Sequence, residues 1–402
     1  MTGEAVPYTR SSPTPGCRMP VHDRLTVLDV LRGIAILGTL GTNIWIFMYP
    51  GGLLGYLETG WGQSDDMHWG VLALQQLTQG KFLGLLALMF GMGIALQQRS
   101  AIAAGIRWPG PYLVRAALLF LDGVLNYLFV VEFDVLMGYA LTSVVVAFML
   151  RLGSRGRTAW LAVAASVHFM FLGLVVLALA VFGGDISTGE TAAGGSGWWD
   201  MVRSRIEHVW LFREEMFFIA PMSVALFLLG ARLLEAGVFE ARGARLRRWL
   251  MGVGLGIAWP LDMALGVFGS DAGIMAGRYG TAPFVAMGLL AAVAEAFHRR
   301  PQPGVLGRRL AEVGRMALSG YVLQNLLASV LCYDWGLGLA RRVPEAWSVP
   351  ATVGIYLLVA ACVMLFAHLW QRHAKRGPLE WLWHVSYLRL TRGSRTGGAV
   401  AV

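Results

Sequence analysis

Several acidic, basic and amide side chains stand inside otherwise apolar stretches of this chain, where each is costly without a partner or a task. The first stretch reads Leu28-Asp29-Val30-Leu31-Arg32-Gly33-Ile34-Ala35. Asp29 and Arg32 share one helical face and can pair. Arg32, Thr39 and Asn43 fall within about 20° of one another around a helix. They make one polar stripe about 16 Å long. Such a stripe faces protein or water rather than lipid. It either holds an anion or simply locks helix packing.

Asp122 and Asn126 share a face in a later stretch, and Glu132-Phe133-Asp134 follows as a very short turn. Two carboxylates there could supply a general base, since a dry pocket tunes a carboxylate toward neutral pKa. Asp134 also stands just before an apolar helix, where a carboxylate accepts amide hydrogen bonds as an N-cap. The two roles are compatible.

His68 follows Asp65 and Asp66, while His208 precedes Arg213, Glu214 and Glu215. A histidine beside a carboxylate is an ordinary general-base arrangement, although neighbours in sequence need not meet in space. His168, inside an apolar run, reads as a hydrogen-bonded core residue. Lys81, in Gln79-Gly80-Lys81-Phe82, opens a helix and either snorkels to the interface or holds an anionic substrate. Asp262, after Trp259-Pro260, suits packing and a transport pathway alike. No glycine-rich nucleotide loop, metalloprotease or serine-hydrolase motif occurs, and Gly91-Met92-Gly93 reads as close helix packing. Cys17, Cys332 and Cys362 lack metal-ligand spacing, so no metal site is expected.

The elements that must position these groups are long apolar runs, over roughly 27–48, 82–98, 112–131, 134–151, 159–182, 213–236, 248–268, 280–298, 314–334 and 350–371. A bilayer core needs roughly 20 apolar residues of helix. The chain is 56% hydrophobic and only 14% charged. Its net charge of +9 does not imply nucleic acid, because the arginines sit in alternate gaps between the runs. Arg99, Arg107, Arg151, Arg155, Arg299 and Arg300 belong to those gaps, whereas the opposite gaps carry Glu58, Asp65, Asp66, Glu132, Asp134 and Asp185.

That asymmetry marks the cytoplasmic side. It predicts an all-α transmembrane bundle of about ten helices with both termini cytoplasmic; Arg278, Arg341 and Arg342 are exceptions. Residues 1–24 read as a disordered tail with no cleavable signal. Residues 25–385 read as the bundle and 386–402 as a flexible tail. Trp45, Trp61, Trp69, Trp198, Trp199 and Trp210 read as anchors at the outer interface. Two long outer loops, 49–81 and 183–212, suit lids or entry sites, and 183–197 reads equally as a glycine-rich tether with no role.

The motifs resemble a known family. Leu28-Asp29-Val30-Leu31-Arg32-Gly33 with Asn43-Ile44 and Pro50, Gly80-Lys81-Phe82, Leu88-Met89-Phe90-Gly91-Met92-Gly93, and Asp134-Val135-Leu136 with Tyr139-Ala140-Leu141 are similar to YeiB-family segments. Val313-Gly314-Arg315-Met316-Ala317-Leu318-Ser319 with Tyr321, Gln324 and Asn325 resembles the DUF418 domain, taken here as about 230–390. Tyr333-Asp334-Trp335-Gly336-Leu337-Gly338 and Arg376-Gly377-Pro378-Leu379-Glu380-Trp381 resemble it too.

The first-helix Asp-x-x-Arg-Gly pattern is also similar to the transmembrane acyltransferase superfamily. That resemblance implies a bacterial inner-membrane enzyme moving an acyl group from a thioester, such as an acyl-CoA, to a hydroxyl or amine of a small envelope or secreted molecule. No permanently bound cofactor is implied, and the partners would be membrane lipids and that acceptor. Arg32 and Lys81 would contact the donor. Asp134 and Glu132, with His68, would handle acceptor protons, and Asn43 and Asn126 would donate to a developing oxyanion. Asn43 and Asn126 stand where the acyltransferase-3 pattern carries histidines, which moves the burden of base to His68, His208, Glu132 or Asp134. A transporter or lipid-flipping protein, with Asp122 and Asp262 in its pathway, and a non-catalytic membrane scaffold are the rival readings.

Overall fold

The computed structural model describes residues 21–58, 68–182, 197–300 and 302–396. No strand occurs among them. Along the first half run α1 (Val21–Phe47), α2 (Gly52–Glu58), α3 (Trp69–Gln76), α4 (Lys81–Ala103), α5 (Gly110–Phe129), α6 (Leu136–Met149), α7 (Ser154–Phe182) and α8 (Trp198–Glu207). Next come α9 (Val209–Glu235), α10 (Ala244–Met251), α11 (Trp259–Phe268), α12 (Asp271–Ala276) and α13 (Ala282–Arg299). The last are α14 (Val305–Arg315), α15 (Ala317–Cys332), α16 (Leu339–Arg342), α17 (Ser348–Gln371) and α18 (Pro378–Thr396).

Eight helical segments among the described residues are long and apolar enough to cross a membrane, and α6 and α15 are shorter apolar helices. The protein is therefore a polytopic all-α membrane protein. Segments 241–268 and 271–299 are each built from two helices joined by a π-helical turn, Gly252–Ala258 and Gly277–Thr281. The first of these turns is followed directly by Pro260, in the opening turn of α11.

Helices in lipid gain little from burying apolar surface against one another, so they associate where small residues let backbones touch. At the α1–α14 crossing, a Cβ on Gly33 would overlap the Leu310 carbonyl, and one on Gly314 would overlap the Asp29 carbonyl. The α4–α9 crossing repeats the device, with Gly91 against the Phe227 carbonyl and Gly230 against that of Leu88. The glycine pairs thus pack helices closely, as their sequence suggests. Gly314→Ala is expected to cost about 1–3 kcal/mol or more, because the overpacking meets backbone. Gly354→Ala, with nothing near its Cβ, should leave the melting temperature unchanged or raise it. Thermal unfolding of the two variants in matched detergent checks this.

Three expectations are revised. Residues 305–315, which read as part of a basic gap, form α14, whose apolar face packs on α1. The expected tail from residue 386 is helical to Thr396, because α18 packs on α5 and α15. The loops 49–81 and 183–212 contain α2, α3 and α8; Trp61, Asp65, Asp66 and Asp185 lie outside the described residues. Trp69, Trp199 and Trp210 are largely exposed, as interfacial anchors would be.

Candidate functional site

Helix α5 ends at Phe129, and six residues, 130–135, connect it to α6 at Leu136. Asp134 closes that connection by capping α6. One carboxylate oxygen accepts the amides of Leu136 at 2.8 Å and Met137 at 3.3 Å. The other accepts Asn126 Nδ2 at 2.8 Å and the Tyr321 hydroxyl at 3.4 Å. The capping expectation is therefore met. A Cβ on Gly123 would press on the Met137 amide, so α5 and α6 can approach this closely only with glycine there.

Arg213 of α9 clamps the turn, donating to the carbonyls of Glu132 and Asp134 while lying 4.1 Å over the Tyr127 ring. Asp134 stands in the connection, outside both helices. Burial pushes its carboxyl up to about 6, against the opposing pull of the Asn126 hydrogen bond and Arg213.

Glu132 faces the other way. It pairs with Arg205 of α8 at 3.0 Å and accepts the Tyr333 hydroxyl at 2.8 Å and the Leu53 amide at 3.4 Å. Arg205 also donates to the carbonyls of Leu128 and Val130. These groups line a pocket of about 90 Å³ bounded by Tyr49–Leu54, Ser204, Phe212, Asp334 and Arg341. Arg341, an exception to the charge asymmetry, pairs with Asp334 at 3.1 Å. Arg278, another, pairs with Glu215 at 3.1 Å.

At the opposite ends of the helices lies a larger cavity, about 530 Å³. Its mouth carries Arg32 of α1, Arg115 of α5, Arg315 at the end of α14 and Arg376 from the α17–α18 connection. Arg32 pairs with Asp29 at 3.2 Å, as the spacing predicts. The body is apolar, formed by Ile36, Leu86, Met89, Phe90, Ile94 and Leu119. Helix α18 supplies one wall through Glu380, Trp383, His384 and Tyr387. Glu380 fixes that wall by accepting the Leu318 and Ser319 amides and the Ser319 hydroxyl at the start of α15. Trp383 donates to Asp122. The deep end is Leu136 and Tyr321, and Tyr321 is the residue that reaches Asp134. The turn Glu132-Phe133-Asp134 therefore stands between the two spaces, with Glu132 in one and Asp134 one hydrogen bond from the other.

The structure brings together Arg32, Asn126, Glu132 and Asp134 around these spaces. It does not bring in the rest. Lys81 pairs with Asp262 in a closed cluster with both side chains buried. Gln76 and Thr281 complete it, each donating to the Asp262 carboxylate at 2.9 Å. Neither Lys81 nor Asp262 lines the arginine-mouthed cavity. His68 is exposed and accepts the Gly70 amide at 3.1 Å, capping α3. Asn43 is half-buried on α1 and does not join the Asn126–Asp134 pair. His208 bonds the Ser204 carbonyl, and the buried His168 bonds that of Tyr279. The sequence reading missed Arg205, Tyr333, Glu380 and the clamp by Arg213. Arg213 stood beside His208, and Tyr333 and Glu380 lie in segments quoted for the family resemblance, though with no role given to them; Arg205 had no local signal of its own.

A family model described as a protein of unknown function, DUF418, matches residues 233–389. YxaH of Bacillus subtilis (strain 168) is 27% identical over 399 residues, covering 90% of this chain and 94% of that protein. YeiB of Escherichia coli (strain K12) is 28% identical over 404 residues, covering 91% and 97%. Residues 233–389 thus match the DUF418 model, and the chain as a whole is similar to YeiB and YxaH. The matched segment contributes Arg315, Tyr321, Tyr333 and Glu380, while Arg32, Asn126, Glu132 and Asp134 precede it. The site is thus shared between the two parts of a single bundle.

Proposed function

We propose that this protein is an acyltransferase of the bacterial cytoplasmic membrane. It would move an acyl group from a thioester held in the arginine-mouthed cavity to a hydroxyl or amine in the Glu132 pocket. The observation that carries this reading is the cavity itself: four arginines at an apolar space whose deep end is one hydrogen bond from a buried carboxylate. Positive-inside asymmetry supports placing the arginine-rich face toward the cytoplasm.

In the step proposed, the acceptor oxygen or nitrogen attacks the thioester carbonyl carbon. Its proton passes through the Tyr321 hydroxyl to Asp134. The tetrahedral intermediate collapses with cleavage of the C–S bond, and the sulfur leaves as a thiolate that takes up a proton. Glu132 and Tyr333 would receive the acceptor in the opposite pocket, from which it would pass the Glu132–Asp134 turn to reach Tyr321 and the thioester carbon. Asn126 is already bonded to Asp134, so its role is to position that carboxylate. Asp262, which a transport pathway would use, is held in the closed Lys81 cluster; this favours acyl transfer over transport.

Protein reconstituted in nanodiscs with acyl thioesters and a panel of polyols and amines should yield free thiol and acylated acceptor in equal amounts. Absence of turnover, or accumulation of a solute in vesicles with no donor present, would overturn the reading. Arg315→Gln and Arg376→Gln should each raise the donor KM about tenfold with kcat nearly unchanged, the pattern of lost uniform binding. The effect should shrink at high salt, because both side chains are exposed.

A further inference from the structure

The cavity's size and lining point to more than a thioester with a small acyl group. Six residues of α4 face it, Leu86, Met89, Phe90, Gly93, Ile94 and Gln97. Leu86 to Gln97 spans about 16 Å of helix axis. Beyond the arginine mouth the walls are mostly aliphatic and aromatic as far as Tyr321, with Gln97, Glu380 and His384 as the polar exceptions. An acetyl group would leave most of about 530 Å³ unfilled.

Gly93 is the telling position. It lines the cavity, and a Cβ built on it meets nothing within 4 Å. Elsewhere on α4, by contrast, Gly91 is required by backbone contact with α9. Gly93 therefore keeps open space rather than close packing, and it lies on the face between the mouth and the deep end.

We infer that the cavity binds a single long apolar chain carried on a phosphate-bearing head, with the head at Arg32, Arg115, Arg315 and Arg376 and the chain running along α4 past Gly93. This deepens the acyl-transfer reading, and rests on it for the identity of the head as a thioester donor. The same chemistry belongs to a single-chain phospholipid. Gly93 would then set chain length, since a larger side chain there would fill the lumen without disturbing the helix crossing.

The test is binding, not turnover. Thioether analogues of acetyl-CoA and palmitoyl-CoA, which cannot transfer, and a palmitoyl lysophospholipid are titrated calorimetrically against the full chain in nanodiscs. The palmitoyl analogue should bind at least tenfold more tightly than the acetyl analogue. Gly93→Leu should remove that preference while leaving the acetyl analogue's affinity unchanged. Arg315→Gln should weaken both analogues together. Equal affinity for the two chain lengths, or unchanged chain preference in Gly93→Leu, overturns the inference even if acyl transfer is observed. Chain-dependent binding of the lysophospholipid alone supports the inference and counts against the thioester reading. Unchanged unfolding of Gly93→Leu confirms that its effect is on the cavity and not on folding.

Discussion

Asp134→Asn is expected to reduce acyl transfer by ~10²-fold or more while the protein folds as before. Asparagine is as good an N-cap as aspartate and has nearly the same shape, so the bonds from the Leu136 and Met137 amides can be kept. What is lost is the negative charge that accepts a proton. A purely structural Asp134 would give the opposite result, with full turnover in the variant. The pH profile separates the cases further. Burial raises the carboxyl from the usual 3.8 to about 6, so the fraction able to act as base, and with it the rate, should climb between pH 5 and 7. The folded state holds this proton more tightly than the unfolded chain. Stability from this group is therefore greatest below the ordinary carboxylate value and falls as pH rises toward 6. The asparagine variant should lose both slopes. Initial rates and melting temperatures measured across that range decide it.

Lys81→Met should have the largest effect on stability. It would strand the Asp262 carboxylate, which is wholly buried, and breaking a buried pair on one side typically costs about 3–5 kcal/mol. Adding Asp262→Asn removes the stranded charge while keeping an acceptor oxygen for Gln76 and turning an NH2 donor toward the Thr281 hydroxyl, which can accept it, so the double variant should recover much of the loss. If Lys81 instead held a donor's anionic group, the single variant would raise the donor KM with little change in unfolding. Thermal unfolding together with donor titration distinguishes the two, and an unchanged melting temperature would overturn the structural role.

The membrane helices were legible in the sequence because lipid demands unbroken apolar length, and length is a local property. The Asp29–Arg32 pair and the capping by Asp134 were legible for the same reason: each depends on neighbours along the chain. Of Gly91 and Gly93, both read as packing residues, only Gly91 meets another helix. Helices α14 and α18 were not, because both are amphipathic and carry several arginines; a polar average hides a packed face. The ion pairs escaped as well. Lys81 read as a free cation because its partner is on α11, and Arg205 gave no sign of meeting Glu132, because α8 and the α5–α6 connection are far apart in sequence. His68 read as a base from two neighbours in sequence, whereas its ring in space caps its own helix.

The glycine-mediated contact between α1 and α14 bears on biogenesis. Helix α1 finds its main backbone partner in α14, which lies far later in the chain. Until α14 is in place, the Asp29–Arg32 end of α1 and the bare surface around Gly33 lack the backbone that matches them, a state that a hydrocarbon environment disfavours. Assembly of the bundle therefore depends on late, long-range docking of α14.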